Sequence, residues 1–205
     1  MSPQIFSVLV LAASSFFVVS DQFSKGFGFN RLLFLIISLL FLLSSVLYLL
    51  PEKAGGHLHD LLTFSYSLEN TVGYILIILL FWSMTMLSDV MPGAIVVTVM
   101  VSAVLVWATW DPRWRPLQSV IRSFCVLFAM MIATFGLIRR QKNGIWMVLS
   151  LMSLAFALKP QLLARIAEPF VTHNYLKAIA VFFAGKALSA GDTPLFGGRG
   201  GSTQR

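Results

Sequence analysis

The chain of 205 residues is 58% hydrophobic and 11% charged, and fifteen Lys and Arg against eight Asp and Glu leave a formal charge of +7. An ordinary soluble domain carries about 25% charged residues, so the composition excludes a globule made for water and predicts an all-α, polytopic transmembrane helical bundle. The basic excess does not predict nucleic-acid binding, because the basic residues are scattered through short connections without a stripe of regularly spaced aromatics; phospholipid headgroups are the expected counterions.

The first apolar run covers Gln4 to Ser20. It has the length of a signal-peptide core, but Met1 to Gln4 carries no Lys or Arg and Val18-Val19-Ser20 is a poor cleavage site, so it predicts a retained helix. Five further clear spans follow, at Arg31 to Leu50, Thr71 to Ser88, Gly93 to Trp110, Pro116 to Ile138 and Asn143 to Leu158. Each is near the roughly 20 apolar residues that cross a bilayer. A seventh candidate, Asn174 to Ala190, contains Lys177 and Lys186 and is expected to span, or to lie in the interface as a C-terminal helix with its lysines snorkelling. One transmembrane domain is thus expected over residues 1–191, with a tail over 192–205.

The breaks between runs have physical causes. Pro51 ends the second run, Pro92-Gly93 separates the third from the fourth, and Pro116 opens the fifth, where a missing N–H costs nothing. Asp89-Val90-Met91-Pro92 leaves room for a tight antiparallel hairpin, and Asp111 to Pro116 makes a second rigid connection. Trp107, Trp110 and Trp114 at one end of the fourth span, and Trp146 at the start of the sixth, are placed as interfacial anchors. Trp82, nearer the middle of its run, is expected to pack on a neighbour or face lipid. Lys159 and Arg165 begin an amphipathic stretch in which Leu162, Leu163 and Ile166 meet lipid while the basic groups meet phosphate. Neither orientation of the chain places all of its basic loops on one side.

Candidate chemistry is sparse. The runs from Leu32 to Leu50, Thr71 to Ser88 and Gly93 to Trp110 hold no charged residue, and the fifth holds Arg122 alone, expected to snorkel. That emptiness weighs against ion coupling, which places ionisable groups inside the membrane. His57, His59 and His173 fall in polar connections, so a haem ligand within a helix is not expected. His57-Leu58-His59-Asp60 could supply metal ligands or an acid–base pair, although a solvated loop is the preferred reading. Glu69-Asn70 reads as the cap of the third span. Asp89 reads as structural, and Cys125, the single cysteine, as a small buried hydrophobe.

Small residues recur at packing distance at Ala12-Ala13-Ser14-Ser15, at Ala129 and Ala133, and at Ser153 and Ala157, where ordinary packing within the chain is preferred over a partner contact. The last fourteen residues hold four glycines and little apolar mass, and Gly197, Gly198, Arg199 and Arg205 are the expected contacts of that tail with a host. The sequence therefore points to an accessory or structural subunit of a larger membrane complex, with other integral-membrane subunits and phospholipids as partners. No cofactor or catalysis is expected, structural lipids are, and a mitochondrial, plastid or bacterial inner membrane is the setting suggested by analogy. The alternatives are a small-solute transporter or channel, and a lipid-processing enzyme using His57, His59 and Asp60.

Overall fold

The computed structural model describes residues 2–26, 28–49, 56–86, 92–159 and 168–191, with only the backbone described at 56–59, 92 and 112. Every regular element among them is helical: α1 (Pro3–Ser24), α2 (Phe29–Tyr48), α3 (Gly56–Leu68), a π-helical turn (Glu69–Gly73), α4 (Tyr74–Met86), α5 (Pro92–Trp110), a short 3-10 turn (Pro112–Trp114), α6 (Arg115–Ile138), α7 (Gly144–Ala157) and α8 (Pro169–Gly191). Five stretches are helical, long and apolar enough to cross a membrane, namely Pro3–Ser24, Phe29–Tyr48, Asp60–Met86, Gly93–Trp110 and Arg115–Ile138. Of the six clear spans expected, the sixth is the departure: α7 is apolar but has only 14 helical residues, or about 21 Å at about 1.5 Å per residue.

The third span departs further. It does not begin at Thr71, because helix runs without a break from α3 through the π turn into α4. Ordinary amphipathic reading fails here since the polar side is the inner one. Ser65, Ser67, Glu69, Asn70 and Thr71 are all buried, while Leu61, Phe64 and Tyr66 are exposed. The inward groups find polar partners: Thr71 donates to the Ser67 carbonyl at 2.5 Å, and Gln118 of α6 donates to Ser67 Oγ at 2.9 Å. Glu69 and Asn70 consequently sit in mid-helix and cap nothing. His57, His59 and Asp60, expected in a loop, lie in the first turns of α3.

A second departure concerns the last helix. α8 packs against α1, α2 and α7, and Lys177, expected to snorkel, is buried in its first half. Small side chains allow this. Ala178, Ala180, Ala184, Gly185 and Ala187 are buried along α8, so neighbouring backbones approach closely. At Gly185 a Cβ would stand 2.0 Å from Val18 Cγ1 of α1. Hydrogen bonds cross the same seams, from Ser14 to the Ala178 carbonyl (3.1 Å), from Gln22 to the Gly185 carbonyl (3.1 Å) and from Ser150 to the Ala180 carbonyl (2.8 Å).

One apolar core joins α1, α2, α4, α6, α7 and α8, with Phe34, Phe41, Tyr74, Phe81, Met147 and Leu151 among its most buried members. Ala129, Ala133 and Ala157 are buried inside it or beside it, as ordinary packing requires. The last-turn carbonyls of α4, on buried residues, are satisfied by the α6–α7 turn, where Gln141 donates to the Thr85 carbonyl at 2.8 Å and Asn143 to the Met84 carbonyl at 3.3 Å. That turn is tight: a Cβ on Gly144 would lie 2.8 Å from the Leu137 nitrogen. The hairpin expected at Asp89 to Pro92 lies largely outside the described residues.

Candidate functional site: a charged chamber among the helices

The π turn places one carboxylate inside the helical assembly. Glu69 Oε1 meets Lys177 Nζ of α8 at 2.6 Å, with side-chain exposures of 2% and 3%. Two α2 serines complete the surroundings. Ser44 donates to the other oxygen of Glu69, and Ser45 shares its hydroxyl between the Phe41 carbonyl (2.9 Å) and Asn174 Oδ1 (3.0 Å). Lys177 also sits 5.3 Å above the Phe41 ring, a cation–π contact strengthened by desolvation. The ammonium has three donors and Glu69 takes one of them.

The ion pair forms the floor of a cavity of about 320 Å³. Its polar lining comes from Ser44, Ser45, Tyr48, Tyr66, Glu69, Arg122, His173, Asn174 and Lys177, and its apolar lining from Ala157, Leu158, Pro169 and Phe170. Helix ends locate it: α2 and α7 finish there, and α6 and α8 begin there. Tyr48 and Phe170 stack at the rim with ring centroids 4.2 Å apart. A line of hydrogen bonds runs from Ser45 to Asn174, from Asn174 to Ser7 (3.1 Å), from Ser7 to the Gln4 carbonyl (2.7 Å) and from the Gln4 amide to Glu168 (2.8 Å). Polar groups thus run from Ser45, next in sequence to the Ser44 that bonds Glu69, to the end of the assembly where α1 and α8 begin.

Two further side chains equip the chamber. His173 pairs Nδ1 with the Ala157 carbonyl at 2.8 Å; a carbonyl only accepts, so Nδ1 carries the proton and Nε2 is left as an acceptor in the neutral ring. Arg122 lines the cavity from α6, about 10 Å along the helix from Arg115. Its Nε is buried without a hydrogen-bond partner. Behind the floor, Asn70 is buried with neither polar atom of its amide paired, and the Tyr74 hydroxyl is likewise unpaired. Such orphaned groups cost about 1–3 kcal/mol each, and Asn70 and Tyr74 lie in and next to a π turn, a feature frequent at functional sites.

None of these residues was singled out as a site from the sequence, which read the interior as empty. The signal was present: Glu69 is the one acid between Asp60 and Asp89, and Lys177 is a base, with Lys186, inside the run offered as a seventh span. The residues that the sequence did single out lie elsewhere. Asp60 is exposed on α3. Among the described residues no group of three or more His, Cys, Asp or Glu is gathered to hold a metal ion. Trp107, Trp110 and Trp114 are exposed, Trp110 packing edge-on to Phe64 at 5.9 Å, and Trp146 stacks half-buried on Phe183 at 5.8 Å. Trp82 is 44% exposed and so faces outward. Lys159 is exposed, while Arg165, Gly197, Gly198, Arg199 and Arg205 lie outside the described residues. Comparison with known protein families, curated proteins and solved structures finds no match to this chain.

Proposed function

We propose that this chain is an integral membrane protein that binds a small polar solute in the chamber around Glu69 and Lys177 and carries it across the bilayer. One observation bears the weight: a carboxylate and an ammonium, both almost wholly buried, meet at the floor of a polar cavity whose walls include three stretches long and apolar enough to cross a membrane, Phe29–Tyr48, Asp60–Met86 and Arg115–Ile138. Removing each ion from water costs several kcal/mol, and apolar side chains of similar volume serve stability as well or better. An ionisable pair kept inside a membrane helix assembly is therefore a mark of a solute or ion pathway. The Ser7, Asn174 and Ser45 line runs from the chamber lining toward one end of the helices.

The subunit reading draws in part on an interior without titratable groups, which the buried Glu69 and Lys177 do not fit. What favours it still is α5, whose Val96, Val97, Val99, Met100, Val104 and Trp107 are exposed along an apolar face that lipid or a partner helix would cover. Purification in mild detergent followed by reconstitution separates the two. A carrier takes up labelled solutes from a panel of acids, amines and polyols into liposomes containing this chain alone. A protein that migrates only with stoichiometric companions, and moves nothing by itself, is a subunit. The lipid-enzyme alternative predicts turnover that His59→Ala removes, whereas the carrier reading predicts no effect of that change on uptake.

A further inference from the structure

The charges of the chamber do not cancel. Glu69 and Lys177 neutralise one another at 2.6 Å, and Arg122 adds a second cation to the lining. One negative and two positive groups leave a net charge of one positive. Among the described residues Arg122 has no ion-pair partner, and its Nε, buried, has no acceptor. A guanidinium presents its donors as a planar fork that matches two oxygens of a carboxylate or phosphate. The first turn of α8 reinforces the sign, since Pro169, Phe170 and His173 bring the positive end of a 23-residue helix to the cavity wall.

We infer that the chamber receives a compact oxyanion, a carboxylate or phosphate group, held by Arg122 and assisted by the donors of Lys177 that Glu69 leaves free. Glu69, itself held by Ser44, anchors Lys177 at the floor, so the incoming anion meets two cations and one carboxylate already occupied by its own partners. The net charge repels cations, and a cavity of about 320 Å³ stands at the small end of the roughly 300–1,000 Å³ typical of ligand sites. Tyr48, Phe170 and Leu158 offer an apolar rim to whatever carbon skeleton bears the anionic group. The inference rests on the chamber's being a solute-binding site, and it names the chemistry of the solute.

The test uses the full chain in phosphatidylcholine nanodiscs at constant ionic strength, reading the thermal unfolding midpoint against sodium acetate, inorganic phosphate, methylammonium or glycerol, and separately against phosphatidylglycerol blended into the lipid. An anion that fits raises the midpoint of the native chain. Arg122→Gln weakens that response about tenfold or more, as loss of a charge-assisted pair requires, and Arg122→Lys keeps part of it. Arg113→Gln, an equal loss of charge on an exposed residue at the same end, leaves the response unchanged. Circular dichroism and the midpoint without anion show whether the Arg122 variants are folded. A response to acetate or phosphate that depends on Arg122 supports the inference. If only phosphatidylglycerol acts, again through Arg122, the oxyanion site stands and its source is a lipid headgroup, which rejects the carrier reading alone. No response to any of the three anions, a response to methylammonium or glycerol instead, or an equal anion response in Arg122→Gln overturns the inference.

Discussion

Replacing Lys177 by Met separates a buried ion pair from a decorative one. The pair lies at 2.6 Å with both side chains almost wholly enclosed, so at an effective dielectric constant of about 20 the attraction is about 6 kcal/mol. Much of that is offset by desolvation of the two ions. What the variant exposes is the other half of the ledger: Glu69 stays buried with Ser44 as its remaining partner. Breaking one side of such a pair costs about 3–5 kcal/mol. The double variant Glu69→Gln with Lys177→Met leaves no buried charge, lets the Gln accept from Ser44, and should return to within about 1 kcal/mol of the native chain. Unfolding in mixed micelles titrated with dodecyl sulfate, run on the native chain, both single variants and the double variant, gives the coupling energy. A single variant as stable as the native chain, or a double variant no better than the singles, would refute the placement of these two residues.

Further expectations follow from the packing. Gly185→Leu should destabilise by about 1–3 kcal/mol because its Cβ meets Val18 of α1, and Val18→Ala should recover part of the loss in the same micelle titration. Gln141→Ala removes the bond to the Thr85 carbonyl and should cost about 0.5–1.5 kcal/mol; no change in the unfolding midpoint would mean that water serves the carbonyl equally well. Cys125 is 4% exposed within the core, so a maleimide should label it slowly in the folded chain and fast after denaturation, as followed by mass; rapid labelling before denaturation would contradict the packing of α6.

The helical class and most of the apolar runs were legible because both follow from side-chain chemistry summed over about 20 residues. Pro92 opens α5 and Pro116 sits in the first turn of α6, as their fixed backbone geometry predicts. The chamber was not legible, for two reasons. In α3 and the π turn the polar residues Ser65, Ser67 and Glu69 turn inward and Leu61, Phe64 and Tyr66 outward, the reverse of a water-soluble helix, so a pattern that reads as a loop is a helix with an internal polar face. Lys177 resembles a snorkelling lysine when its own helix is considered alone. Only the approach of the π turn, separated from α8 by five helical elements along the chain but 2.6 Å away in space, reveals its counterion. Pairings of that kind depend on tertiary register, which local periodicity does not encode.

Transport by the uncharged double variant tests the central claim most directly. Liposomes containing only Glu69→Gln with Lys177→Met, verified as folded, should fail to accumulate the labelled solute that the native chain takes up, because the chamber has lost the charged floor that makes it a site. Uptake at the native rate by that variant would show that the buried pair serves structure alone and that the chamber is not the route.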